Sequence, residues 1–351
     1  LKSVEIAELA GRAVRRVKLP FSPGVVIEFV DRERALKQAY ELAERGTRLP
    51  LVVFGPEGCG KTAWLLQTVE VFRELGFGVL YLNPLRRRFE VEVGVEDLRR
   101  KAFELVRGAL SEHALARLAW RVVDFAREAI EYGRKRLAVI VDDVFQYTGA
   151  REAALIVKSL LELIEYPPKS YDIIVAIAAT SEGISRAEIG RHLWAWLKPM
   201  WNMSRKGFEE LCEKVPGEKP LLDQLWRFTG GNPRVLAQLY ELRWSTEAVA
   251  RGLAEARKLD TFVRSLSDEE KELLYKALED PDVLATREGL PLLNKLVELN
   301  LVVDSIPARD LESWIDEPPL ERDSELGVGR YVAWQTPLHR DAVRRALTQL
   351  K

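Results

Sequence analysis

Gly55, Pro56, Glu57, Gly58, Cys59, Gly60, Lys61 and Thr62 stand in the order G-x-x-x-x-G-K-T, directly after the apolar run Leu51-Val52-Val53-Phe54. A chain that leaves an apolar strand, curls through glycines and enters a helix turns successive backbone N–H groups toward one point. The helix start adds its positive dipole end there. The chemistry that fits is phosphate binding, with Lys61 reaching the β and γ phosphates of a nucleoside triphosphate and the Thr62 hydroxyl binding Mg²⁺. Cys59 occupies a variable position of the loop, where a small side chain suffices.

A carboxylate pair completes the pattern. Asp142 and Asp143 end the run Leu137-Ala138-Val139-Ile140-Val141, which is too apolar and too β-branched for a surface strand and so belongs inside a parallel sheet. Ligands of such sheets sit beyond the carboxyl ends of the strands. This is a Walker B pattern: Asp142 is placed to hold Mg²⁺ through water, and Asp143 to orient or deprotonate an attacking water. Thr180 and Ser181 end the next apolar run, 173–178. There they either contact the γ-phosphate or the lytic water, or simply close a strand; Arg186 lies just beyond. In Thr229-Gly230-Gly231-Asn232-Pro233-Arg234, Pro233 suits a first helical turn and Asn232 can cap it.

Strands alternating with helices are needed to position these residues. Residues 1–30 read as a leading segment, a short helix over 4–16 broken by Pro20, Pro23 and Gly24. Ala35, Leu36, Ala39, Leu42 and Ala43 recur at helical spacing. Trp64, Leu65, Leu66, Val69, Phe72 and Leu75 mark the helix after the loop, with Gly76 at its C-terminal cap. Residues 79–82 read as the second strand, 95–133 as helical, 150–165 as a helix ending before Pro167-Pro168, and 193–197 as a weak fifth strand. The expected fold is therefore α/β, a P-loop NTPase three-layer parallel sheet over residues 31–203. Beyond Ser204 strand signals stop; helices over 204–215, 220–228, 233–242 and 246–263 predict a helical lid spanning 204–266. Residues 267–351 read as two helical segments, 268–278 and 289–299, then strands at 301–304 and 331–334 around a polar insertion, and a last helix. That order predicts a C-terminal winged-helix domain.

Composition narrows the class. The chain has 351 residues, 47% hydrophobic and 30% charged, with a net charge of −1, which describes an ordinary globular protein of two or three domains. No apolar stretch approaches membrane-span length, and the first residues lack the apolar core of a signal peptide, so a cytoplasmic protein without membrane association is expected. Two cysteines, one inside the phosphate loop, argue against a disulfide framework or a zinc site.

Taken in order, Val30-Asp31-Arg32-Glu33-Arg34-Ala35-Leu36, the phosphate loop, Val141-Asp142-Asp143, Thr180-Ser181 and Gly231-Asn232-Pro233-Arg234 resemble the archaeal ATPase family within the STAND and AAA+ class, relatives of archaeal origin-recognition ATPases. The resemblance covers about residues 25–350. It implies ATP or ADP with Mg²⁺ as the bound species, Arg32 near adenine, Pro233 packed on the base and Arg234 sensing the γ-phosphate. Two departures stand out. Asp31 replaces the Gly that usually precedes the Arg, and Asp143 replaces the Glu of initiator-type relatives, a carboxylate one methylene shorter that suits slow hydrolysis.

The resulting expectation is an ATP-binding, Mg²⁺-dependent ATPase switch, in which nucleotide closes lid and winged helix and so governs a protein partner or self-assembly. A reading of another class is a DNA-binding initiator or mobile-element ATPase that assembles on DNA with ATP, a neighbour supplying an arginine finger. A third is a nucleotide-bound adaptor without turnover. Charge gives DNA no support: residues 264–351 carry 12 Lys plus Arg against 18 Asp plus Glu, a balance of −6, whereas phosphate contacts need cations. The recognition-helix candidate 289–299 offers only Lys295, and Arg340, Arg344 and Arg345 lie on the last helix. Arg86-Arg87-Arg88 is the densest basic cluster and reads best as a solvated face. Trp194, Trp196, Trp201, Trp226 and Trp244 read as buried packing.

Overall fold

The computed structural model describes residues 17–108, 112–143, 150–181 and 183–348. The chain forms two compact units. One contains residues 33–54 and 61–198, and the other 18–32, 55–60 and 199–351. The helix expected over 4–16 lies outside the described residues.

The first described elements are β1 (Lys18–Ser22) and β2 (Val25–Glu28), an antiparallel hairpin of the second unit. Pro20, Pro23 and Gly24 do not merely end a helix, as the sequence suggested. Gly24 takes φ +78 in the turn, and the register shifts between Pro20 and Ser22, an irregularity of the kind where strand prolines are tolerated.

In the first unit α1 (Glu33–Arg45) buries Ala35, Ala39 and Ala43 on one face, as its spacing required. Then come β3 (Leu51–Phe54), α2 (Lys61–Glu74), β4 (Gly78–Asn83), β5 (Arg88–Glu92), α3 (Glu96–Gly108), α4 (Glu112–Glu131), β6 (Arg136–Asp142), α5 (Ala150–Glu165), β7 (Ile173–Ala179), α6 (Gly183–Gly190) and β8 (Trp196–Pro199). The six-stranded sheet has the order β5-β4-β6-β7-β3-β8. β4 with β6, β6 with β7 and β7 with β3 pair in parallel. The four strands β3, β4, β6 and β7 are apolar along most of their length because helices cover both faces. Leu80, Val139, Ala176, Val122, Ile156 and Leu160, all inaccessible, belong to one core.

β5 was not foreseen. It pairs antiparallel with β4, and the tri-arginine segment supplies its turn and first residue: Arg87 has φ +49 and Arg88 lies over the Tyr81 ring at 5.6 Å. Arg88 also pairs with Glu90. Arg73 of α2 reaches Glu90 and Glu92 at 2.6 Å each, so acidic and basic residues of this edge neutralise one another. The helical stretch expected over 95–133 is two helices, α3 and α4. The fifth strand is present but begins later than the weak signal suggested, at Trp196.

In the second unit α7 (Arg205–Lys214), α8 (Leu222–Thr229), α9 (Pro233–Glu241), α10 (Thr246–Ala256) and α11 (Leu259–Arg264) follow one another. Lys258, at φ +51, breaks the helix that the sequence ran unbroken from 246 to 263. α12 (Asp268–Glu279) starts on a capping box of Ser267 and Glu270. A short 3₁₀ turn, α13 (Leu290–Glu298), β9 (Val302–Val303), β10 (Ala333–Trp334) and α14 (Pro337–Thr348) complete the chain. β9 and β10 pair antiparallel, shorter than the strands expected. Phe208, Leu236, Leu259, Leu274, Leu296, Trp334 and Val343 belong to one continuous apolar core, to which Ile27 of the hairpin also contributes. Among the described residues no helix is long and apolar enough to cross a membrane.

Candidate functional site

Within the first unit, β6 delivers Asp142 to the end of the sheet, where it is 1% exposed. Two side chains of the neighbouring β4 hold one of its oxygens: Tyr81 Oη at 2.9 Å and Asn83 Nδ2 at 2.8 Å both donate to Oδ2. Oδ1 is buried and has no hydrogen-bond partner among the described residues. Burial and the adjacent Asp143 push the Asp142 carboxyl up to about 6, against the stabilising influence of Tyr81, Asn83 and the Thr62 hydroxyl. A buried, unsatisfied carboxylate oxygen beside a threonine hydroxyl is costly unless a cation meets it. Mg²⁺ fits that donor set, since it binds through one or two protein oxygens and keeps waters and phosphate oxygens for the rest. Among the described residues no cluster of three or more His, Cys, Asp or Glu stands ready as an all-protein cage.

Asp143 follows at φ +52, half-buried. Lys61 and Thr62 open α2, with Lys61 6% exposed. Thr180 is buried just past β7 and its N–H donates to Val53 O at 2.9 Å; Ser181 is half-buried. Arg186 is buried with its guanidinium 4.7 Å from the centre of the Phe54 ring, and burial brings its pKa down to about 10.

Within the second unit the loop residues 55–60 are gripped from outside. Asn232 Nδ2 donates to Glu57 O at 2.9 Å, Arg234 N to Gly58 O at 3.4 Å and Arg32 Nη2 to Cys59 O at 2.7 Å. Three consecutive loop carbonyls thus accept from donors on Asn232, Arg234 and Arg32. Gly58 and Gly60 take φ +78 and +107, open to glycine and strained for other residues. Asn232 also caps α9 through Arg234 N and Val235 N, and Pro233 begins that helix. Arg32 is 3% exposed; Nη1 pairs with Asp316 at 2.7 Å and Nη2 also reaches Trp201 O at 2.9 Å. Its guanidinium is thus committed to the loop and to Asp316. Arg234 is largely exposed, 3.8 Å from the Glu57 carboxylate.

An ATPase domain found predominantly in Archaea matches residues 29–239, more than half of the chain. The chain belongs to this ATPase family. Among curated proteins none matches it. Solved structures similar to this ATPase include Cdc6p from Pyrobaculum aerophilum, at 16% identity over 95% of this chain and 99% of that one, with TM-score 0.39. The Aeropyrum pernix ORC1 protein in complex with DNA shows 14% identity over 92% and 93%, with TM-score 0.36. AMPPCP-bound DnaA from Aquifex aeolicus shows 15% over 73% and 76%, with TM-score 0.35.

The ATPase holds site residues that the motifs did not announce. Tyr81 and Asn83 are the supports of Asp142, and Asn83 had a readable signal, a polar residue closing an otherwise apolar strand beside the carboxylate strand. Asp316, which pairs with Arg32, and Asn202, Asn300 and Gln335, whose side chains bond to Asn232 or Glu57, come from distant sequence and carried no local signal. The Cys59 and Cys212 thiols are buried and not in a disulfide, and Cys59 Sγ donates to Met200 O at 3.5 Å. Of the tryptophans, Trp201 is buried edge-on to Trp314 at 6.4 Å, while Trp196 is 45% exposed.

Proposed function

We propose that this ATPase is a Mg²⁺-dependent ATP switch. Residues 55–62 bind the triphosphate, Lys61 neutralises its β and γ phosphates, Thr62 and Asp142 hold the metal, and Asp143 orients the attacking water. Bound Mg²⁺ supplies charge neutralisation at the phosphates. The observation that carries the reading is Asp142, whose Oδ2 is fixed by Tyr81 and Asn83 while Oδ1 is left buried without a partner among the described residues. Thr180, Ser181 and Arg186 are candidates to meet the γ-phosphate or the water. Pro233 and Arg234 are proposed on the base and γ-phosphate sides, and Arg32 as a brace of the loop near the base. Residues 204–266 act as a lid and 267–351 as a winged-helix domain, and their arrangement answers to nucleotide and is read by a protein partner or a second copy.

Charge supports the switch over a DNA-bound initiator. Lys295 of α13 pairs with Glu270 at 2.6 Å, Arg344 with Glu279 and Arg345 with Asp341, and Arg340 donates to Ser324 O and Glu325 O. Cations tied to neighbouring acids and carbonyls offer little to a phosphate backbone. ATP turnover of wild type and Asp143→Asn, with and without duplex DNA, tests the proposal. Slow turnover indifferent to DNA, falling roughly 10²–10⁴-fold in Asp143→Asn with ATP still bound, is expected. Salt-sensitive stimulation by DNA would favour the initiator, and no turnover in wild type the adaptor.

A further inference from the structure

Glu57, the third residue of the phosphate loop, is enclosed by amide side chains from the far end of the chain. Its N–H donates to Gln335 Oε1 at 2.7 Å, Gln335 Nε2 donates to Asn300 Oδ1, and Asn300 Nδ2 donates to Glu57 Oε2 at 3.1 Å. The three residues close a ring. A second ring shares Glu57 and Gln335: Asn232 Nδ2 donates to Glu57 O at 2.9 Å and to Asn202 Oδ1 at 2.8 Å, and Asn202 Nδ2 donates to Gln335 O at 3.0 Å. Arg257 closes on the same carboxylate at 2.6 Å. The chain has five asparagines; Asn232 and Asn300 bond to this loop residue and Asn202 to two of its partners, Asn232 and Gln335. Polar networks in which every member is satisfied specify one geometry.

The loop needs such control because Glu57 is an anion in a segment that receives an anion. Turned inward, its carboxylate would repel a triphosphate. Asn300 and Arg257 hold its carboxylate, and Gln335 and Asn232 hold its peptide N–H and carbonyl. We propose that Asn300 and Gln335 are positioning residues for nucleotide binding, which clamp Glu57 and thereby make ATP affinity depend on the seating of the C-terminal segment. Binding linkage runs both ways, so ATP in turn stabilises the seat of β9 and β10, the strands that flank Asn300 and Gln335. The inference rests on reading residues 55–62 as the triphosphate loop.

The test is titration of a fluorescent ATP analogue with Mg²⁺ into the full chain, for wild type, Asn300→Ala, Gln335→Ala, Glu57→Ala and the double variant Glu57→Ala/Asn300→Ala. Asn300→Ala and Gln335→Ala should each weaken binding at least 5-fold. In the Glu57→Ala background, Asn300→Ala should change the dissociation constant less than 2-fold, because the carboxylate it restrains is gone. Hydrogen exchange in residues 55–60 should quicken in both single variants. Unchanged affinity in both single variants, or full additivity in the double variant, overturns the proposal, and circular dichroism matching wild type excludes misfolding as the cause. Lys61→Ala, run in parallel, tests the triphosphate reading alone: if it binds like wild type, that reading fails, whatever the clamp variants do.

Discussion

At the scale of residues, titratable groups of this protein sit where burial sets their charge. His339 is 6% exposed, its Nδ1 lies 2.7 Å from Thr336 Oγ1, and burial lowers its pKa from 6.5 to about 4 against the pull of Glu57. A histidine whose folded value is depressed binds fewer protons than the unfolded chain between those limits, so its stability contribution is complete above 6.5 and is lost as pH falls. Moving from pH 7 to pH 5 should weaken the second unit by about 2 kcal/mol through this residue. Glu57 adds nothing in that window: burial opposes its ionisation, but Arg257 and Arg234 outweigh it and keep its value below 4.5. Asp142, raised to about 6, acts in the opposite sense in the first unit. Urea denaturation of wild type and His339→Gln at both pH values isolates the effect. The difference in stability between them should shrink at pH 5, and a constant difference would show that His339 is not buried in neutral form.

At the scale of elements, the phosphate loop depends on backbone that only glycine adopts easily. A Cβ on Gly58 would lie 2.3 Å from the Arg234 Cβ, at φ +78, so Gly58→Ala must displace either the loop or the start of α9. ATP binding should weaken at least ~10-fold, and calorimetric affinity equal to wild type would show that the loop and α9 move apart freely. The parallel strands were legible in the sequence because complete burial writes continuous apolar runs such as 137–141, and α1 because alanines at helical spacing mark a buried face. The hairpin β1–β2 was hidden by Pro20 and Pro23, which break helices and shape turns alike. β5 was hidden because an edge strand gains its stability from pairing with β4 and from Arg73, which lies on another element. Of the candidate site, residues 55–62 and 142–143 stand out in the sequence because strand, turn and charge adjoin there. Asp316, Asn300 and Gln335 do not, because their role exists only where the chain folds back on the loop.

At the scale of the whole molecule, each unit has its own core. Lys61, Thr62, Asp142 and Asp143 belong to the first unit, while loop residues 55–60, Arg32, Asn232, Arg234 and the C-terminal segment belong to the second. The measurement that tests this account most directly is Mg²⁺-dependent ATP binding by isothermal calorimetry, comparing wild type with Lys61→Ala. The account predicts magnesium-dependent binding by wild type, and affinity reduced at least ~100-fold by loss of the charge at the β and γ phosphates. Equal affinity of the two proteins for ATP would contradict it.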